Sequence, residues 1–275
     1  MYKLIACDVD GTLLDKSMKA TNANKKAIQA AQQKGIIFTL CSGRSHKNLI
    51  TISDEFGIQK ANNYIIGFNG SLVYDLSSDK LLRNETLDMT TAIDIVHLFK
   101  EIAQNIDIVI YADADNLIFE EGAEYAPEYL KIAKINSHTT KSIAEEIKKL
   151  TRVSKIIFFG ENSDLLAFEG RLKSAAKEKA SVFFSAEYLL EASPATASKA
   201  SGVQWLCKAH NIHPSEVIAI GDNHNDLSMI EFAGLGVAVE NAVLQAKKIA
   251  NYITKNNCSN DAVAEVINKF VLSQS

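Results

Sequence analysis

The chain has 275 residues, 47% of them hydrophobic and 23% charged, and a net charge of -4. That length admits one or two domains around a large core, and the charge balance leaves no basic field to draw in nucleic acid or anionic lipid. Cys7, Cys41, Cys207 and Cys258 form no CxxC pair, the N-terminus opens on a strand without a basic leader, and no apolar stretch approaches a membrane span of ~18 residues, so the expectation is a reduced, cytoplasmic protein.

Residues 4–15 read LIACDVDGTLLD, an apolar run that ends abruptly in Asp8, Asp10 and Gly11. A buried strand that stops in two carboxylates and a glycine places them where open α/β sheets bind ligands. Alternation along the strand puts Asp8 and Asp10 on one side, near enough to share a hard cation. Thr21 or Asn22 then caps a helix running to residue 34, with Gly35 ending it. Residues 36–41 form a second buried strand that terminates in Ser42-Gly43-Arg44. A helix over 45–56 closes at Gly57, and a strand over 64–68 ends in Asn69-Gly70.

The texture changes between residues 84 and 190. Helical patterns at 90–104, 126–135, 142–150 and 164–179 interleave with strands at 106–112, 116–120, 155–159 and 181–184. Asp113-Ala114-Asp115 between two of these strands reads as a hairpin turn, so this segment is expected to be an inserted α+β domain with an antiparallel sheet. Strand and helix then alternate again: a helix over 199–210, a strand over 217–220 that runs into GDNHND, a helix from 228, a strand over 235–239 and helices over 243–250 and 261–270. This order predicts an α/β fold with a parallel sheet, its core formed by residues 1–83 and 191–275 and interrupted by 84–190.

Four polar clusters therefore fall at strand ends or a helix start: Asp8 with Asp10, Ser42-Gly43-Arg44, Lys199, and Asp222 with Asn225 and Asp226. Four carboxylates at one sheet edge repel by several kcal/mol a pair at an effective dielectric near ~20 unless cations join them. Lys199 and a divalent metal supply that compensation, and an oxygen-only donor set without His or Cys selects Mg²⁺. An ordinary aspartate is ionised at neutral pH, so Asp8 can attack phosphorus directly. Asp10 can protonate the leaving alcohol and later deprotonate water. Asp8 and Asp222, with a backbone carbonyl at Asp10, are the expected metal ligands, while Val9, Ser42, Gly43, Lys199 and Asn225 take the phosphate oxygens. Asp226 stands behind the ligands or caps the following helix. Arg44 supports the site or anchors its loop, and Asn69 lines the pocket or shapes its turn.

Rival motifs do not fit the sequence. A calcium loop from Asp8 needs Gly and Glu at its sixth and twelfth positions and finds Leu13 and Lys19. Gly234-Leu-Gly236 lacks a third glycine and precedes a strand, and neither Cys41 nor Cys207 has an arginine six residues on. His210, His213 and His224 suit exposed loops.

DVDGT, CSGR, Lys199 within ASPATASKASGV, and GDNHNDLSMI resemble, in order and spacing, the four motifs of the haloacid dehalogenase superfamily, in its Cof-type (subfamily IIB) branch. The resemblance extends to NGS at Asn69, GVAVENA at 236–242 and AVAEVI near the C-terminus. It implies a Rossmann-like core, a C2-type cap at 84–190 that closes over the site and reads the leaving group, and Mg²⁺-dependent hydrolysis of a small phosphorylated metabolite, such as a sugar phosphate or phosphorylated cofactor, with Asp8 as nucleophile and Asp10 as acid/base. Ala200, Glu240 and Ala262 depart from the family pattern without removing a catalytic group. Phosphoryl transfer to another hydroxyl, as in a mutase, and a non-catalytic phosphate-binding regulator are the alternatives.

Overall fold

The computed structural model describes residues 1–15, 18–19, 21–103, 105–114, 116–133 and 135–273. Gln104, Asp115 and Lys134, which the sequence reading places in two helices and a turn, lie outside them. In chain order the chain forms β1 (Leu4–Cys7), α1 (Asn22–Gln33), β2 (Ile37–Cys41), α2 (His46–Phe56), β3 (Tyr64–Gly67), β4 (Leu72–Asp75) and β5 (Lys80–Asn84). There follow α3 (Met89–Ile102), β6 (Ile106–Tyr111), β7 (Asn116–Glu120), α4 (Ala126–Ala133), β8 (Asn136–Thr140), α5 (Ile143–Glu146), β9 (Lys155–Gly160), α6 (Asn162–Ala176), β10 (Ala180–Ala186) and β11 (Leu189–Pro194). The last stretch adds α7 (Lys199–His210), β12 (Val217–Gly221), α8 (Leu227–Phe232), β13 (Leu235–Ala238), α9 (Leu244–Ile249), β14 (Tyr252–Ile253) and α10 (Ala262–Ile267).

Two compact units result, residues 1–83 with 198–275, and residues 84–197. The return crossing falls at Ala197/Ser198 rather than at 190/191. The reason is β11, which pairs antiparallel with both β9 and β10 and so belongs to the inserted unit. No helix among the described residues is long and apolar enough to cross a membrane.

Among the described residues the sheet of the first unit runs β14-β13-β12-β1-β2-β3-β4-β5. From β14 to β3 every pairing is parallel, and β4 returns antiparallel along β3. β1 thus stands between β2 and β12, the point where the strand order reverses, and such a reversal opens a crevice at the carboxyl ends of its two strands. The strands there are buried throughout, as Val-, Ile- and Leu-rich central strands of a covered parallel sheet must be. Leu4, Ala6 and Ile37 pack with Val203 and Leu206 of α7 and Met229 of α8 in one apolar cluster. The helix punctuation follows the sequence: Thr21 and Ser45 cap α1 and α2 through their hydroxyls, and Gly57 ends α2 in the left-handed region at φ 65°.

The inserted unit carries a second sheet, β10-β11-β9-β6-β7-β8, antiparallel except for the β7/β8 pair. Ile108, Ile110, Ile156, Phe158, Leu190 and Ala192 alternate onto one face and join α3, α5 and α6 in a second apolar core. Their neighbours in sequence point the other way. Among them Lys155 and Glu191 form a buried ion pair at 2.8 Å. The Lys155 ammonium also lies 5.0 Å from the centre of the Tyr111 ring, and Ser185 donates to the second Glu191 oxygen. Burial opposes the charge on Lys155, yet Glu191 holds its pKa above the ordinary value.

A buried pair broken on one side leaves an uncompensated charge. Glu191→Ala is therefore expected to lower unfolding free energy by ~3–5 kcal/mol, whereas the double change of Lys155→Met with Glu191→Met recovers most of the loss. Urea denaturation of the three proteins measures the difference.

Candidate active site

Three parallel strands of the first unit deliver polar residues to one sheet edge. Asp8 follows β1, Ser42 follows β2 and Asp222 follows β12, with Cys7 beside Ile220 in the register. The Asp8 amide donates to the Ile220 carbonyl at 2.9 Å, carrying the ladder one residue past the strand. The chain then folds into a tight turn. The carbonyl of the buried Val9 accepts from the amides of Leu13 and Leu14 at 3.1 and 2.8 Å, and the Gly11 amide donates to Leu14 at 2.9 Å. Gly11 sits at φ +83°, and a Cβ there would lie 2.5 Å from an Asp222 carboxylate oxygen, so glycine is needed both for the turn and for the approach of the two loops.

Lys199 comes from elsewhere in the chain. It opens α7, whose start is fixed by a reciprocal capping box between Ser198 and Ser201 and by the Arg83 guanidinium, which donates to the Ser201 carbonyl at 2.7 Å. The turn Phe68–Gly70 after β3 presses against this helix start. Gly70 adopts φ +99°, and a Cβ on it would fall 1.8 Å from the Ser198 carbonyl oxygen. Held in this way, the Lys199 ammonium is 1% exposed and donates to Asp8 Oδ1 at 2.5 Å and to Asp226 Oδ1 at 2.6 Å.

Asp226 is fully buried and binds on both sides. Its Oδ2 accepts from the amides of Asp222 and Asn223 at 2.9 and 3.0 Å, while its side chain makes no capping bond to α8. Of the two roles left open by the sequence, the helix cap is the one the structure does not support. The carboxylate braces the loop that carries Asp222 and anchors Lys199.

Asp8, Asp222 and Asp226 each offer one carboxylate oxygen, all within 4.8 Å of one another, and form a cluster that could hold a metal ion. Burial, then Asp226, pushes the Asp8 carboxyl well above its ordinary value, with Lys199 opposing. Asp222 is raised for the same two reasons, and the Thr12 hydroxyl, donating to it at 3.1 Å, opposes the rise. Burial would drive the Lys199 ammonium down, but Asp226 and Asp8 together hold it above its ordinary value. One ammonium thus faces three carboxylates. A hard dication bound by oxygen suits that donor set and its charge deficit.

The Asp10 side chain is not part of this cluster, contrary to the expectation that its carboxylate shares a cation with that of Asp8. It lies half-exposed and accepts from Arg44 Nε and Nη2 at 2.8 and 2.6 Å. On the β2 side, the buried Ser42 hydroxyl accepts from the Arg44 amide at 3.3 Å. Asn69, left-handed at φ 52°, presents its side-chain oxygen to Asn225 Nδ2 at 3.2 Å and lies against Gly43, where a Cβ would meet it at 3.1 Å. Ser42, Gly43, Asn69 and Asn225 are brought together. Sequence reasoning did not single out Asn241, which donates to the Gly11 carbonyl at 2.7 Å and accepts from the Cys258 amide at 2.9 Å. Its signal was its place in GVAVENA. Thr12 likewise lay inside DVDGT.

A sequence profile of haloacid dehalogenase-like hydrolases matches residues 5–267. The 5-amino-6-(5-phospho-D-ribitylamino)uracil phosphatase YwtE of Bacillus subtilis is 31% identical, over 99% of this chain and 99% of its own length. Phosphatase YwpJ of the same organism is 30% identical over 93% and 95% of the two chains. A crystal structure of a haloacid dehalogenase-like hydrolase from Bacteroides thetaiotaomicron superposes with a TM-score of 0.87 at 30% identity, covering 98% of this chain and 99% of that one. With strand-end carboxylates, a buried lysine and a profile spanning both units, the chain belongs to the haloacid dehalogenase-like hydrolase family and is an enzyme of the phosphatase type.

Proposed function

We propose that this chain is a Mg²⁺-dependent phosphatase that hydrolyses small phosphorylated metabolites through an aspartyl-phosphate. The observation that carries the reading is the convergence of Asp8, Lys199, Asp222 and Asp226 at the crevice between β1 and β12. A relative named for a phosphoribityl substrate supports a small, sugar-like phosphate ester, and the choice among such esters is assigned to the inserted unit. A cytoplasmic setting is part of the same reading, on the strength of four cysteines with no CxxC pair in the sequence.

Asp8 and Asp222 are the side chains that would hold Mg²⁺, with Asp226 behind them, and the ion would supply charge neutralisation between the phosphate and the carboxylates. Asp8 attacks phosphorus as an ionised carboxylate; Lys199 aims it and opposes the rise in its pKa, and the charge of a bound dication would favour the ionised form. Asp10 gives its proton to the leaving oxygen as the P–O bond breaks. Asp10 then takes a proton from the water that attacks the same phosphorus and releases Asp8. The hydroxyl of Ser42, the amides of Val9 and Gly43, Lys199 and Asn225 receive the oxygens on which charge develops.

In a panel of phosphate esters with Mg²⁺, inorganic phosphate is expected in equal amount to the alcohol, and chelator should abolish it. Asp8→Asn should lose at least ~10⁴-fold and Asp10→Asn ~10²–10⁴-fold. Phosphate recovered on a second alcohol would favour phosphoryl transfer instead, and no release from any ester would overturn the reading.

A linked stability effect follows from the raised Asp8 carboxyl. A group whose folded pKa lies above its unfolded value of ~3.9 stabilises the fold below that value and loses the contribution as pH rises through the folded one. With chelator present, the unfolding free energy of wild type relative to Asp8→Asn should therefore fall as pH is raised from ~4 toward neutrality. Mg²⁺ at ~100 times its Kd should restore ~2.7 kcal/mol. Denaturant titrations across pH measure both.

A further inference from the structure

The pairing of Arg44 with Asp10 goes beyond loop anchoring. Arg44's backbone is already tied down at both ends, its amide donating to the Ser42 hydroxyl at 3.3 Å and its carbonyl accepting from the Phe68 amide at 3.0 Å. The Arg44 side chain thus adds to backbone bonds that already shape the loop. That side chain meets both oxygens of Asp10, at 2.8 and 2.6 Å, in a planar two-point contact. A third guanidinium nitrogen, Nη1, donates to the side-chain oxygen of Asn48 in α2 at 2.7 Å. Asp10 has the opposite problem. It sits in the turn after β1 with its side chain 49% exposed, where a lone carboxylate would sample several rotamers.

We propose that Asn48 and Arg44 are positioning residues that act through Asp10: α2 fixes Asn48, Asn48 fixes the plane of the guanidinium, and the guanidinium fixes the carboxylate that shuttles the proton. The assignment rests on the phosphatase reading above. In the first step Asp10 loses its proton to the leaving oxygen as Asp8 bonds to phosphorus. In the second it regains one from the attacking water as the bond to Asp8 breaks, so Arg44 and Asn48 end each cycle unchanged. A misplacement of about 1 Å in such a group costs ~10²-fold. In the first step that cost is expected only where the leaving oxygen needs a proton; in the second it falls on every ester alike, because the intermediate on Asp8 is the same.

The test compares two esters in the full-length protein with Mg²⁺, p-nitrophenyl phosphate, whose leaving group departs unaided, and glycerol phosphate, whose alkoxide does not. Arg44→Ala should lower the single-turnover rate of alcohol release ~100-fold from glycerol phosphate and less than ~10-fold from p-nitrophenyl phosphate, with Asn48→Ala showing the same preference at smaller size. Arg44→Lys, a smaller perturbation of the fold that keeps the charge and loses the two-point contact, should keep the defect. Added guanidinium ion should partly rescue Arg44→Ala. Combining Asp10→Asn with Arg44→Ala should cost no more on glycerol phosphate than Asp10→Asn alone. Equal losses in the single-turnover release from the two esters, or additive losses in the double variant, would overturn the assignment and leave the phosphatase reading standing. Wild type inactive on both esters and on every other member of the panel would overturn the reading and the assignment together.

Discussion

A buried ammonium shared between two carboxylates governs the rest of this molecule. Lys199 cannot be removed from water without Asp8 and Asp226, nor they without it, since unit charges ~4 Å apart interact by ~4 kcal/mol even at an effective dielectric near 20. The requirement reaches outward. The start of α7 has to be fixed, which the Ser198/Ser201 box and Arg83 do. The turn at Phe68–Gly70 has to come within contact of Ser198, which only a residue without Cβ permits. On the other side, Asp226 transmits the constraint to the Asp222 loop through two amide hydrogen bonds. Two strands, two turns and one helix are thereby locked to a single charge.

The sequence made the location of the site legible because carboxylates and glycines interrupting apolar runs are hard to explain otherwise. Asp8, Ser42, Lys199 and Asp222 lie where their strand ends and helix start indicated. The part played by Asp226 was less readable, since an aspartate ahead of a helix looks like a cap whether or not its side chain turns back. The exposure of Asp10 was hidden for a related reason: alternation holds along a strand, and β1 stops at Cys7, one residue before Asp8. Asn48 gave no signal at all. It is an ordinary polar residue in an amphipathic helix, four positions after Arg44, and nothing in that spacing says that the two side chains meet.

The same division applies to the fold. Helices with capping residues and strands with apolar bodies were readable, including the hairpin of β6 and β7. β4, β5, β8, β11 and β14 were not. β8 reads NSHTT and is mostly exposed, so it has no apolar alternation to show, and β11 hides the switch of its side chains between an apolar face and one that bears Glu191. Its omission moved the expected edge of the inserted unit by seven residues, from 190/191 to Ala197/Ser198.

The central place of β1 has a consequence for synthesis. Its two neighbours come from opposite ends of the chain, β2 from residues 37–41 and β12 from residues 217–221. At about 5–20 residues per second, a ribosome delivers the second neighbour roughly 10–40 s after Leu4–Cys7 has left it. Throughout that interval one edge of a wholly apolar strand has no partner from its own sheet, the kind of edge that recruits other chains. The inserted unit, whose sheet pairs only with itself, is complete while the nascent core still waits. The stretch that finishes the sheet is also the one that brings Asp222 and Asp226, so a chain stalled before residue 217 lacks both of these carboxylates and keeps the open edge.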